Sequence, residues 1–167
     1  TLFNTKGEPR EAIVALSMLN SDNWILPVNN GGEMAYKPPF FHWLMALFSS
    51  VLNHGQINEY LSRLPSALSL IAMIAAGYWF YGKRKGYTLA LVAGLLTLTN
   101  FEVHRAGVNC RVDMLLTACM VGALYLLYLG HEKRKTAYYL LALLCMSGAM
   151  LTKGPVCILL PCMDGFA

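Results

Sequence analysis

Charged residues are scarce in this chain, and their scarcity indicates its class. They make up 13% of the sequence, whereas a soluble domain contains roughly 25%. Hydrophobic residues account for 56%, so we expect an integral membrane protein rather than a soluble domain. Six of the 13 basic residues lie in two short clusters, 83–85 and 133–135, between apolar runs. This pattern argues against nucleic-acid binding and is typical of cytoplasmic loops of membrane proteins.

Common metal and catalytic signatures are also lacking. The cysteines, at positions 110, 119, 145, 157 and 162, have no CxxC spacing and indicate neither a disulfide nor a metal site. The sequence contains no glycine-rich phosphate loop and no Ser–His–Asp order. His42 and His104 have no second ligand at metal-binding spacing, so interfacial hydrogen bonding is the better interpretation. Ligand spacing indicates no metal site, and the sequence does not specify a cofactor, so a divalent metal stays an open alternative.

The apolar runs predict an all-α, polytopic transmembrane helical bundle. We expect membrane helices at about 64–82, 87–104, 113–130 and 136–152, with another starting from 155. Because the basic clusters follow the first and third of these, they mark the cytoplasmic side. Residues 1–63 then form the first external loop, and we interpret the chain as a fragment of a longer protein.

Residues 40–52 are apolar and aromatic but shorter than the roughly 20 residues that cross a bilayer. We therefore place them in the interface, as an amphipathic juxtamembrane helix. If they crossed the membrane instead, residues 1–37 would be cytoplasmic. In the favoured topology most charged groups outside the basic clusters lie on the external side, where any chemistry would occur.

Two lysines occur at breaks in the helical pattern. Lys37 precedes Pro38 and Pro39, which forbid a continuous helix and hold the lysine at the end of a loop. Lys153 precedes Gly154 and a further proline. Each lysine is interpretable either as an interfacial residue that reaches toward water or as an anion ligand.

Acidic residues are further candidates. Asp113 opens a predicted span, shortly after Arg105 and Arg111, where a carboxylate is either functional or a helix N-cap. Glu8 and Glu11 are candidates for chemistry as well, but they are equally interpretable as acidic residues in the first turn of a helix, where the helix dipole favours them.

Six short motifs occur in an order that resembles the GT-C type membrane glycosyltransferases, in particular the bacterial family related to lipid A aminoarabinose transferases and protein O-mannosyltransferases. The motifs are Glu8-Pro9-Arg10, Asn23-Trp24-Ile25-Leu26-Pro27, Tyr36-Lys37-Pro38-Pro39 with Trp43-Leu44, Arg63-Leu64-Pro65-Ser66-Ala67, Val112-Asp113 and Leu151-Thr152-Lys153-Gly154-Pro155. The resemblance covers nearly the whole chain.

This resemblance implies a reaction. A sugar would move, with inversion, from a polyprenyl-phosphate-linked donor to a hydroxyl or phosphate of lipid A, a protein or another envelope glycan. The site would face the periplasm from the bacterial inner membrane, and residues 8–20 and 39–53 would be the juxtamembrane helices, with a first membrane helix upstream of Thr1. The resemblance implies catalytic roles for Glu8 and Asp113. It implies substrate-binding roles for the following residues: Arg10, Tyr36, Lys37, Arg105, Arg111 and Lys153. The alternative is a non-catalytic protein that binds or transports polyprenyl lipids.

The chain departs from the family pattern at two positions. The family usually has Asp-Glu where this chain has Gly7-Glu8, and many members have Glu where this chain has Tyr36. Either Glu8 acts as the catalytic carboxylate, or the base lies elsewhere, or activity is lost. A metal held near Tyr36 is in doubt for the same reason.

Overall fold

The computed structural model describes residues 7–29, 32, 35 and 37–154, and this part of the chain is all-α, as predicted. Tyr36 and the helix expected from residue 155 lie outside the described residues. The helices are α1 (Gly7–Ser21), α2 (Phe40–Asn53), α3 (Glu59–Lys85), α4 (Tyr87–Thr99), α5 (Phe101–Val108), α6 (Val112–Lys133) and α7 (Thr136–Lys153).

Three of these helices, α3, α6 and α7, are long and apolar enough to cross a membrane. The longest, α3, has 27 residues and is about 40 Å long, which exceeds the roughly 30 Å of a bilayer core. Large apolar side chains on these helices, such as Ile71 and Leu144, face outward. Outward-facing apolar side chains are expected where lipid rather than water surrounds a helix.

Residues 87–104, which we expected to form one membrane helix, belong to two helices in the structure. Asn100 has an extended backbone between α4 and α5, and its side chain accepts hydrogen bonds from the backbone N–H groups of Glu102 and Val103. Because an asparagine in this position caps a new helix, α4 ends after 13 residues.

The basic clusters and the first turns of α3 and α6 lie at opposite ends of the bundle. The residues of the first basic cluster lie in the last turn of α3, and an ion pair between Arg84 and Glu132 joins that end to the end of α6. At the opposite end, Ser66 Oγ lies 3.0 Å from both the backbone nitrogen and the carbonyl oxygen of Arg111, at the start of α6. The basic clusters and the first turns of α3 and α6 are therefore separated by the full length of these helices.

Helices α1 and α2 pack across the end of the bundle that is remote from the basic clusters. Their contacts with the α5–α6 connection form a buried apolar cluster, which consists of Ala15, Phe41, Met45, Cys110, Val112 and Leu115. Phe40 also approaches α7, since a Cβ atom at Gly148 would lie 3.4 Å from its ring. This packing brings the residues before α2 to the same end of the bundle as the start of α6.

Candidate functional site

Four charged or polar side chains surround the loop that precedes α2, and we call them the Lys37 cluster: Arg10, Glu11, Lys37 and His42. Lys37 Nζ donates a hydrogen bond of 2.7 Å to Glu11 Oε1. His42 Nε2 lies 2.8 Å from Glu11 Oε2 and donates to it. Arg10 Nη2 lies 3.5 Å from Glu11 Oε1. The carboxylate of Glu11 is therefore the centre of the cluster.

The double proline accounts for this arrangement. Pro39 is the N-cap of α2, so Lys37 lies in the loop just before the helix and His42 lies in its first turn. Both side chains then point toward α1, where Glu11 lies.

Burial and neighbouring hydrogen-bond donors shift the pKa of Glu11 in opposite directions. Its side chain is 6% exposed, and burial by itself raises the pKa of a carboxyl group. The hydrogen bonds from His42 and Lys37, together with the positive charge of Lys37, outweigh burial and lower the pKa of Glu11 from 4.5 to about 2. Glu11 is therefore ionised throughout the physiological pH range.

The cavity at the cluster is small. Its volume is about 10 Å³, which is close to the room that one water molecule requires. The side chain of Lys37 is nevertheless 30% exposed, and the Arg10 side chain is also solvent-accessible. An anion would therefore meet these two cations at the edge of the cluster rather than the buried carboxylate.

Glu8, a predicted catalytic residue, lies in a different environment. Its side chain is 0% exposed, and its carboxylate accepts hydrogen bonds from Arg63 Nε at 3.0 Å and Arg63 Nη2 at 3.3 Å. It also accepts a hydrogen bond of 2.9 Å from the backbone N–H of Cys110. The acid that lines the cavity with Lys37 is Glu11, and Glu8 is not among the residues described there. The catalytic role of Glu8 stays a prediction.

Asp113, the other predicted catalytic residue, lies in the first turn of α6. The N-cap of this helix is Arg111, so Asp113 is not itself the cap. Asp113 Oδ1 accepts a hydrogen bond of 2.6 Å from Lys153 Nζ, and Oδ2 lies 4.0 Å from Arg111 Nη1. The Asp113 side chain is 46% exposed, so this carboxylate is accessible to a ligand.

A groove of about 250 Å³ runs beside Asp113, and we call it the Asp113 groove. The charged residues that line it are Glu102, Arg105, Arg111 and Asp113. Arg105 Nη2 donates a hydrogen bond of 2.8 Å to Glu102 Oε2. Three predicted binding residues, Arg105, Arg111 and Lys153, are thus near Asp113, whereas Arg10 and Lys37 belong to the other cluster.

The sequence prediction missed the roles of Glu11 and His42 in the Lys37 cluster. One sequence signal was available, because Glu11 lies four residues after Gly7 and such residues share a helix face. Because this chain has Gly7 where the family usually has an aspartate, the sequence could have directed attention to the acid at position 11, on the same face of the helix. Within the described residues, no group of three or more His, Cys, Asp or Glu side chains is arranged to hold a metal ion.

Comparison with known proteins gives concordant matches. Residues 36–167 match the family model of dolichyl-phosphate-mannose-protein mannosyltransferases. The chain is 28% identical over 163 residues to the undecaprenyl phosphate-α-4-amino-4-deoxy-L-arabinose arabinosyl transferase of Enterobacter sp. strain 638, covering 92% of this chain and 28% of the relative. It is 30% identical over 158 residues to the protein of that name from Shewanella sediminis, with the same coverage of 92% and 28%.

Two solved structures of ArnT from Cupriavidus metallidurans are also similar. The apo structure is 28% identical with a TM-score of 0.82, covering 92% of this chain and 29% of the ArnT chain. The structure bound to undecaprenyl phosphate is 25% identical with a TM-score of 0.86, covering 95% and 30%. The chain therefore spans less than a third of the length of the proteins that it matches.

Proposed function

Because the chain belongs to the dolichyl-phosphate-mannose-protein mannosyltransferase family, we propose that the protein is a membrane glycosyltransferase of the GT-C type. It transfers a sugar from a polyprenyl-phosphate-linked donor to an acceptor hydroxyl or phosphate. The reaction takes place at the periplasmic face of a bacterial inner membrane, and residues 1–63 form the first periplasmic loop.

The observation that carries this proposal is the Lys37 cluster at the end of the bundle remote from the basic clusters. Arg10 and Lys37 supply two cations against the single carboxylate of Glu11. A lysine ammonium has three donors, and the hydrogen bond to Glu11 uses one of them. The exposed side of Lys37 is therefore suited to a phosphate at the membrane surface.

The chemistry requires a base and a stabilised leaving group. The acceptor oxygen attacks the anomeric carbon and gives its proton to a carboxylate, while the bond from that carbon to the phosphate oxygen breaks. The polyprenyl phosphate leaves with the electron pair, and Lys37 and Arg10 stabilise its growing negative charge. The configuration at the anomeric carbon is inverted.

Asp113 is the better of the two predicted bases, since its carboxylate is half-exposed and lies on a groove that an acceptor could enter. Arg105 and Arg111 line that groove and Lys153 pairs with Asp113 beside it, so these three cations would bind the acceptor. Glu8 would have to release Arg63 before it could reach an acceptor. We therefore propose that Glu8 mainly holds α1 against α3 and the start of α6.

The donor is proposed from the relatives, whose name specifies an undecaprenyl phosphate-linked aminoarabinose. A lipid-linked donor also suits a site outside the cytoplasm, where nucleotide sugars are not supplied. The acceptor is one of three classes: lipid A, a protein or another envelope glycan.

A second candidate function is the binding or transport of a polyprenyl lipid without catalysis. It is favoured by the ion pairs of Glu8 and Glu11, since both buried acids already have cationic partners. Under this alternative the Lys37 cluster holds the phosphate, and no proton is transferred.

The test is a transfer assay with the full-length protein in liposomes that contain a radiolabelled polyprenyl-phosphate sugar. We expect label in the acceptor together with release of free polyprenyl phosphate. Replacement of Lys37 by alanine should reduce the rate about 100-fold, the usual loss for one preorganised donor to a developing charge. Lys85→Ala is the matched control, because Lys85 is an exposed lysine in the last turn of α3, at the end of the bundle remote from Lys37. Lipid binding without sugar transfer and without release of free polyprenyl phosphate, in the presence of each of the three acceptor classes, would overturn the enzyme assignment.

A further inference from the structure

Glu11 and His42 have no role yet in the proposed reaction, although both lie beside Lys37. We propose that they are positioning residues, which hold the ammonium group of Lys37 where it meets the lipid phosphate. Glu11 acts through the lysine and does not itself contact the substrate. This inference rests on the proposed function of Lys37.

The geometry of the Glu11 carboxylate supports a positioning role. One oxygen accepts from Lys37 at 2.7 Å and the other lies 2.8 Å from His42 Nε2, so each oxygen already has a donor. The side chain of Glu11 is nearly inaccessible to a ligand. A substrate would therefore meet Lys37 before it met Glu11.

The environment of His42 indicates that its ring supports Glu11. The ring is 1% exposed, and within the described residues its Nδ1 has no hydrogen-bond partner. Its polar contact there is therefore the one to Glu11. Because the first turn of α2 fixes the ring, the ring fixes one oxygen of Glu11 and leaves the other to hold Lys37.

Positioning matters for a lysine because its side chain is long and flexible. A free lysine samples many rotamers, so only part of its population places the ammonium near the leaving phosphate. A lysine tethered by a rigid carboxylate is preorganised for the transition state. Tethering therefore increases the rate of the chemical step.

The charge of Glu11 has the opposite effect on binding. Glu11→Gln keeps the shape of the side chain but removes a negative charge from beside two cations, so the attraction for a phosphate rises. The same substitution loosens Lys37. We therefore expect kcat to fall while KM for the lipid donor stays unchanged or falls. Lys37→Ala should instead raise the donor KM as well as lower kcat.

The experiment is steady-state kinetics of the full-length protein with a polyprenyl-phosphate sugar as the varied substrate. Glu11→Gln should lower kcat at least about tenfold, a loss expected for misplacement of a catalytic group by less than 1 Å. Two replacements of His42 form a matched pair. His42→Gln keeps an N–H donor near the position of Nε2 and should retain most of the kcat, whereas His42→Phe removes the donor and should lower it.

Several results would overturn the inference. One is a Glu11→Gln variant with the kinetics of the wild type, and another is a raised donor KM at unchanged kcat. Equal loss of kcat in His42→Gln and His42→Phe would indicate a purely structural ring. If Glu11→Gln does not fold, the His42 pair decides, because both variants retain Glu11.

A binding measurement separates this inference from the proposed function. If the wild type transfers no sugar, the proposed function fails, and binding of sugar-free polyprenyl phosphate is compared instead. The inference then requires that Glu11→Gln binds the lipid at least as tightly as the wild type and that Lys37→Ala binds it more weakly. Weaker binding in Glu11→Gln would contradict the inference whether or not the protein is an enzyme.

Discussion

The carboxylate of Glu8 accepts a hydrogen bond of 2.9 Å from the backbone N–H of Cys110, a residue 102 positions later in the chain. This contact joins the start of α1 to the connection between α5 and α6. Arg63 on α3 binds the same carboxylate. One buried side chain therefore connects three parts of the fold at the end where the Lys37 cluster lies.

The first prediction concerns the stability that this contact supplies. Glu8→Ala leaves Arg63 without its carboxylate partner and should lower the free energy of unfolding by about 3–5 kcal/mol, the usual cost of breaking a buried ion pair. The measurement is the thermal denaturation midpoint of the full-length protein in detergent. Glu102→Gln, which removes an exposed carboxylate paired with Arg105, is the control and should cost less than about 1 kcal/mol. A Glu8→Ala variant that denatures at the wild-type temperature would contradict the proposed structural role.

The second prediction concerns pH. The pKa of Glu11 is about 2 in the folded protein and lies below its ordinary value of 4.5, so ionised Glu11 stabilises the fold. Its contribution, on the order of 3 kcal/mol, is complete above about pH 4.5 and is lost as the pH falls toward 2.

The measurement is the thermal midpoint between pH 6 and pH 2.5 for the wild type and for Glu11→Gln. The difference in stability between the two proteins should shrink as the pH falls, because the glutamine cannot titrate. A constant difference over this range would show that the charge of Glu11 contributes nothing.

The third prediction separates the function of Lys153 from stability. The ion pair between Lys153 and Asp113 is half-exposed, so Lys153→Ala should change the free energy of unfolding by no more than about 1 kcal/mol. Transfer activity should nevertheless fall, because the lysine lies beside the Asp113 carboxylate that we propose as the base. Lys153→Arg keeps the charge and should retain more activity. Wild-type activity in Lys153→Ala would remove Lys153 from the proposed site.

The fourth prediction concerns topology. Cys110 is a poor probe of sidedness, since burial and the nearby charges of Glu11 and Glu8 raise the pKa of its thiol to about 12. At pH 8 only about one molecule in 10⁴ would carry the reactive thiolate. We therefore expect Cys110 to react with a maleimide only after the protein is denatured.

Introduced cysteines at exposed positions are better probes. In a protein whose native cysteines other than Cys110 are replaced by serine, Ser21→Cys should react with a membrane-impermeant maleimide in intact spheroplasts. Lys135→Cys, at the opposite end of the bundle, should react only after the membrane is permeabilised. The reverse pattern would overturn the proposed orientation.

The fold class and the family were predictable from the sequence, because both depend on features of contiguous segments. Long apolar runs and the basic clusters indicate membrane helices without knowledge of their packing. The division at Asn100 was missed, since an asparagine in an apolar run becomes an N-cap only when the backbone is extended there. The length and composition of the apolar run 87–104 do not indicate that the backbone is extended at Asn100.

The partners of the buried acids were not predictable in the same way. Glu11 and His42 are 31 residues apart, and Glu8 and Arg63 are 55 apart. Their contacts exist because α1 packs against α2 and α3, and a single sequence does not specify how these helices pack. Lys37 was predictable as a candidate because Pro38 and Pro39 mark its loop locally, whereas the acid that holds it was not.

Direct binding of a polyprenyl phosphate to the full-length protein tests whether Lys37 binds the anionic head group of that lipid. The measurement is native mass spectrometry of the wild type, Lys37→Ala and Lys85→Ala, each titrated with sugar-free polyprenyl phosphate. We predict that Lys37→Ala weakens binding about 10- to 100-fold, the loss expected for one charge-assisted hydrogen bond, and that Lys85→Ala binds like the wild type. Equal affinity of the wild type and Lys37→Ala, or an equal loss of affinity in Lys37→Ala and Lys85→Ala, would contradict binding of the lipid head group by Lys37.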